Sequence, residues 1–153
     1  MHVRFLGGGT AWWDKPVQIG PQSWRANFQA SITHRLTFDS GQVLHVRTRY
    51  AGVDDVELES DVAPVNGGFG HVEGLDQDGD RLWGRVDWVV QEGYQGGRYS
   101  VTGGTGKWEG ASGLIEAGVW AEPENDEPMP HDGPILFWGF VDGEGELEMP
   151  AFR

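Results

Sequence analysis

Three side chains in this sequence stand out as candidates for acid–base chemistry: Glu116, His34 and Asp87. Glu116 alternates in phase with Leu114, Gly118 and Trp120. If that face lines an apolar interior, desolvation raises the carboxyl pKa and suits it to general acid or base work near neutral pH. On an outer face the same carboxylate would pair with an arginine. His34 shares a face with Ile32, Leu36 and Phe38. Its ordinary pKa of about 6.5 fits proton transfer, while a lone histidine on such a face is also a common hydrogen-bonded core residue. Asp87, beside Trp83 and Arg85, carries the same two readings.

A second set could hold a substrate rather than transform it. Tyr50 and Tyr99 can each donate a hydrogen bond to a carbonyl oxygen, or serve as core or interface residues. Arg47 and Arg49 share one face with His45 and could bind a carboxylate or enolate oxygen. They could equally pair across strands with Asp87, Glu57 or Glu59. Eight tryptophans are too many for one small core, since each ring buries about 150–250 Å². Trp83, Trp88, Trp120 and Trp138 are therefore expected to line a cavity for a polyene, aromatic or terpenoid-like ligand, or to cover a subunit contact. Trp12, Trp13, Trp24 and Trp108 complete the group.

The elements that must position these groups are strands. No segment keeps helical apolar spacing beyond a turn or two, whereas period-two alternation recurs. Trp24, Ala26, Phe28 and Ala30 alternate with polar residues, as do Ile32 to Phe38, Leu44 to Tyr50 and Leu82 to Val90. Residues 114–120 also alternate, and 134–141 are apolar on both faces. Glycine, at 25 of 153 residues, supplies the turns. About eight strands at ten-residue spacing read as an all-β barrel or sandwich. A barrel fits better, because several strands carry polar groups on one face while 134–141 carry none on either. Length predicts one domain over residues 1–153. Residues 122–133, rich in proline and carboxylates and containing His131, are the longest irregular stretch and read as a lid.

Composition excludes several functions. With no cysteine there is no disulfide framework, thiolate metal site or cysteine nucleophile. A net charge of −13 repels phosphate backbones and anionic lipid, so nucleic acid and membranes are poor partners. Neither a signal core nor a spanning helix is visible, so the expected location is cytoplasmic. Asp76-Gln77-Asp78-Gly79-Asp80 starts like a calcium loop, but its strand flanks and Arg81 make a hairpin turn the better reading. Gly103-Gly104-Thr105-Gly106-Lys107 is no phosphate-binding loop, because Trp108 and a strand pattern follow where a helix is required.

The string from Arg98 to Gly113 is the most specific in the chain. Its core, Gly103-Gly104-Thr105-Gly106-Lys107-Trp108-Glu109-Gly110-Ala111-Ser112-Gly113, resembles the signature of the allene oxide cyclase-like barrel superfamily. That group includes plant allene oxide cyclases, dirigent proteins and bacterial cyclases. Ile135 to Phe140 resembles its final hairpin, so the likeness covers the last third of the chain. The resemblance implies a calycin-like, eight-stranded antiparallel barrel with an internal apolar cavity, no cofactor, and a dimer or trimer. It carries over no reactive residue. The expectation is an enzyme that cyclises, isomerises or performs lyase-type elimination or addition on an apolar small molecule. Its acid–base group would be Glu116, His34 or Asp87, in that order. The alternatives are a lipocalin-like carrier of an apolar ligand and a dirigent-like orienting protein.

Overall fold

The structure is a computed structural model that describes residues 1–57, 65–91, 94–123 and 135–152. Nine strands follow in order: β1 His2–Trp13, β2 Val17–Gly20, β3 Ser23–Phe38, β4 Val43–Glu57, β5 Val65–Asp76, β6 Arg81–Gln91, β7 Tyr94–Gly104, β8 Ser112–Pro123 and β9 Ile135–Glu148. All pairings are antiparallel, and β1 closes the barrel by pairing with both β9 and β3. Eight strands make the wall, and the short β2 pairs with the end of β3 beyond β1. The expected all-β, eight-stranded antiparallel barrel is thus the observed architecture. The two alternating runs 24–30 and 32–38 share one parity and form a single strand of 16 residues. No helix among the described residues is long and apolar enough to cross a membrane.

Alternation decides what faces inward. On β3 the inward set runs Trp24, Ala26, Phe28, Ala30, Ile32, His34, Leu36 and Phe38. On β4 it runs Leu44, Val46, Thr48, Tyr50, Gly52, Asp54 and Val56. Bulky rings inside a small barrel need room at neighbouring positions of the wall, and glycine provides it. A Cβ on Gly7 would collide with the His34 ring, one on Gly70 with Phe28, and one on Gly97 with Tyr99 and Trp88. These glycines are therefore the counterpart of the interior rings, while others, such as Gly9, Gly52 and Gly145, admit a neighbouring strand's backbone.

The barrel has two unlike ends. One is closed by the 3₁₀ turns Gly106–Trp108 and Pro150–Phe152, with Trp108 fully buried among Leu44, Ile115, Leu147 and Met149. Trp108 Nε1 donates to Asp76 Oδ2 at 2.9 Å. Lys107 Nζ reaches Asp76 and Asp80 at 2.7 Å and Asp78 at 3.2 Å. Burial opposes the charge on Asp76, but hydrogen bonds from Lys107, Trp108 and the Asp78 and Asp80 N–H groups outweigh it and lower its pKa. The same carboxylates hold the Lys107 ammonium above its usual range despite its own burial. The loop that resembles a calcium site is thus a hairpin whose three carboxylates converge on one lysine. Gly106 (φ +55°) lies against the Asp80 carboxylate, where a Cβ would not fit. At the other end lie Trp13, Ser23, Glu57, Gln91, Tyr94, Pro123 and Ile135. Residues 124–133 of the expected lid, with His131, lie outside the described residues.

Candidate functional site

The barrel interior above the closed end is aromatic and contains a few polar groups. Phe5 of β1 stacks on His34 with ring centroids 4.2 Å apart. From there ring contacts run through Tyr99 (5.1 Å from Phe5) to Tyr50 and Trp88 (each 6.3 Å from Tyr99), and from Trp88 to Phe28 (5.8 Å). His34 Nε2 and the Tyr50 hydroxyl form a buried hydrogen bond of 2.6 Å. Four residues along β4, and so about 13 Å farther toward the other end, Asp54 Oδ2 accepts from Trp13 Nε1 at 2.6 Å.

Both tiers are perturbed by burial. Desolvation pulls His34 down to about 3, so its imidazole is neutral at pH 7. It pushes the Tyr50 and Tyr99 hydroxyls up, so both stay protonated. It lifts Asp54 to about 7, against the opposing hydrogen bond from the Trp13 indole N–H. Asp54 is therefore the interior group balanced between its two protonation states near neutrality.

Four buried polar atoms among the described residues lack a hydrogen-bond partner: His34 Nδ1, Asp54 Oδ1, Trp88 Nε1 and the Tyr99 hydroxyl. All belong to inward-facing residues of this one aromatic region. Buried polar atoms are normally paired, so such a concentration is a departure from ordinary core construction. His34 Nδ1 lies against the Gly7 backbone, where a bare lone pair costs less than a bare N–H. That favours the tautomer in which Nε2–H donates to Tyr50 and leaves the tyrosine proton free for another acceptor. Below the pair, a cavity of about 40 Å³ lined by Leu36, Val46, Leu82, Val101 and Trp108 has room for water but not for an organic ligand.

The sequence candidates divide by face. His34, Tyr50, Tyr99 and Trp88 come together in the interior. Glu116 does not: it is exposed and takes two hydrogen bonds from Arg98, of 3.1 and 2.9 Å, on the outer wall. The inward residues of β8 are Ile115, Ala117 and Val119, which are small enough to oppose Tyr99 and Trp88. Asp87 is also on the outer wall, held by Arg85 at 2.8 Å, which lowers its pKa. Arg47 and Arg49 are exposed and, among the described residues, neither forms the expected ion pairs. Trp83, Trp120 and Trp138 are 46%, 53% and 53% exposed and line no interior cavity. The physical reason is parity: each of these residues is one position out of phase with its strand's inward set.

Asp54 and Trp13 were missed. Extending the alternation of β4 beyond Tyr50 would have found Asp54, and the same step along β1 from Val3 and Phe5 leads to Trp13.

Fold and site together define a closed antiparallel barrel with an aromatic, sparsely polar interior. Among solved structures the chain is similar to the pterocarpan synthase dirigent protein GePTS1, at 12% identity and a TM-score of 0.38, over 95% of this chain and 89% of that one. No protein-family model matches the chain, and no curated protein matches it in sequence.

Proposed function

We propose that this barrel is a non-catalytic binder of an apolar small molecule that carries hydrogen-bonding oxygen. The observation that supports this is the set of four unpartnered polar atoms within one aromatic interior. A ligand with carbonyl or hydroxyl groups would satisfy them, and the rings would supply the apolar contact. The Trp88 indole and a protonated Asp54 offer donors; Tyr99 can donate or accept. A dirigent-like role, orienting a reactive species made elsewhere, is one form of such binding. The glycine-rich turn before β8 supports membership of the allene oxide cyclase-like superfamily. A cytoplasmic homo-oligomer without cofactor remains part of the same reading.

Binding is favoured over His34-centred catalysis by the chemistry of the pair. An imidazole with a pKa near 3 is a weak base at pH 7. A second reading, isomerase, cyclase or lyase chemistry on the bound ligand, is supported by Asp54, whose pKa of about 7 suits proton transfer. One experiment separates the two. Tryptophan fluorescence is titrated with polycyclic phenols and terpenoid ketones, and each bound ligand is recovered and analysed. Saturable quenching with unchanged ligand supports the binder. A product whose formation stops in Asp54→Asn would replace it with the enzyme. No saturable quenching by any ligand would count against both.

A further inference from the structure

A second concavity lies on the outside of the barrel, separate from the interior. It is a groove of about 610 Å³ across the outer faces of β1, β3, β4, β5 and β6. Its shape follows from register. One row runs Trp12, Gln29, Ala51, His71, and the next runs Ser31, Arg49, Glu73, Trp83. Small residues, Ser31 and Ala51, fall in the middle strands and a large indole stands at each diagonal end. Four strand spacings separate Trp12 from Trp83, or about 19 Å along the wall.

The chemistry of the lining is unusual for a surface. Trp12 and Trp83 are 39% and 46% exposed, and both border the groove. Large indoles held open to water in this way present flat apolar faces without forming a continuous apolar patch. Between them the floor is polar. Among the described residues, the Gln29 amide and the Arg49 guanidinium make no hydrogen bond or ion pair within the chain. Glu73 opposes Arg49 in register but is taken by Arg81 at 2.5 Å. So an arginine without a carboxylate partner sits in the floor of a groove on a protein of net charge −13.

We infer that this groove binds a short acidic oligosaccharide. Pyranose rings have an apolar face of C–H groups and a polar rim of hydroxyls. Trp12 and Trp83 would stack on the former, while Gln29, Ser31 and His71 would hydrogen-bond the latter. Arg49 would take a uronate carboxylate through paired N–H donors. Nucleic acid, the other long anion, is disfavoured because the groove offers Arg49 as its one arginine without a carboxylate partner among the described residues, enough for a single carboxylate but not for a continuous line of phosphates.

The test is calorimetric titration of the intact protein with trigalacturonate, using cellotriose as the neutral comparison. Saturable binding of trigalacturonate, with weaker binding of cellotriose, is expected. Trp83→Ala should lower trigalacturonate affinity at least tenfold through the lost stacking face. Arg49→Gln should lower it about tenfold and level the difference between the two sugars, since a charge-assisted contact is lost. If Trp83→Ala does not fold, Trp12→Ala replaces it. Quenching by an interior ligand should be unchanged in Arg49→Gln, which keeps this site distinct from the interior one. No saturable binding of either sugar at millimolar concentration, or wild-type affinity in both variants, would overturn the inference. Equal affinity for the two sugars in the wild type would overturn its acidic part.

Discussion

The closed end of the barrel and the aromatic interior above it contain similar side chains used in opposite ways. At the closed end, Asp76, Asp80, Lys107 and Trp108 form a network in which Asp76 alone accepts from the lysine, the indole and two backbone N–H groups. In the aromatic interior, Asp54 has one indole donor and one bare oxygen, while Trp88 and Tyr99 have no partner for their polar atoms. Both regions bury an aspartate beside tryptophan. The closed-end carboxyl is held ionised by a lysine; the interior carboxyl has no cation among the described residues and is pushed toward neutrality. A saturated polar network stabilises a fold, whereas an unsaturated one costs stability and is retained where something else uses it.

The contrast is broken most directly at Lys107. Lys107→Ala leaves the Asp76 carboxylate, which has no exposed side-chain surface, without its cation. Removing one partner of a buried pair costs about 3–5 kcal/mol, read from urea denaturation. A loss below about 1 kcal/mol would mean the closed end is not held by this network.

Asp54→Asn should behave differently. The folded pKa of Asp54, about 7, lies above its unfolded value of 3.8. Its contribution is therefore fully present below pH 3.8 and is lost as pH rises through 7. The asparagine variant should be more stable than wild type at pH 8, by roughly 2 kcal/mol, with the gap closing toward pH 5. Thermal denaturation across that range measures it. An equal difference at both pH values would show that Asp54 does not titrate in this way. His34 acts in the other direction: with a folded pKa of about 3 against 6.5, its contribution declines as pH falls below 6.5.

Tyr99→Phe removes one unpartnered hydroxyl. It should leave stability within about 1 kcal/mol of wild type, or raise it, because no hydrogen bond is lost. The same change should weaken interior ligand binding about tenfold, the value of one hydrogen bond to a ligand. Destabilisation by several kcal/mol would place Tyr99 with the structural network instead. The smallest effect is expected at Glu116. Its pair with Arg98 is exposed, so Glu116→Gln should cost under about 1 kcal/mol and leave ligand binding unchanged.

Strand number, alternation and the barrel itself were legible in the sequence because period two and glycine-rich turns are local signals. The inward phase was legible where one face was clearly apolar, as for Ile32, His34, Leu36 and Phe38. It was misread on β8, where Leu114, Gly118 and Trp120 look as apolar as Ile115, Ala117 and Val119. There the choice rests on cross-strand neighbours: Arg98 opposite Glu116 draws that row outward, and Tyr99 opposite Ile115 fills the interior.

Composition and pattern by themselves determined an all-β chain without thiol chemistry, rich in rings and in glycine. Only the tertiary structure decided which polar groups meet. His34 and Tyr50 lie 16 residues apart and Trp13 and Asp54 lie 41 apart, yet each pair is within 2.6 Å. The difference is physical: alternation is encoded between neighbours, whereas pairing across a closed barrel depends on the register of strands distant in the chain.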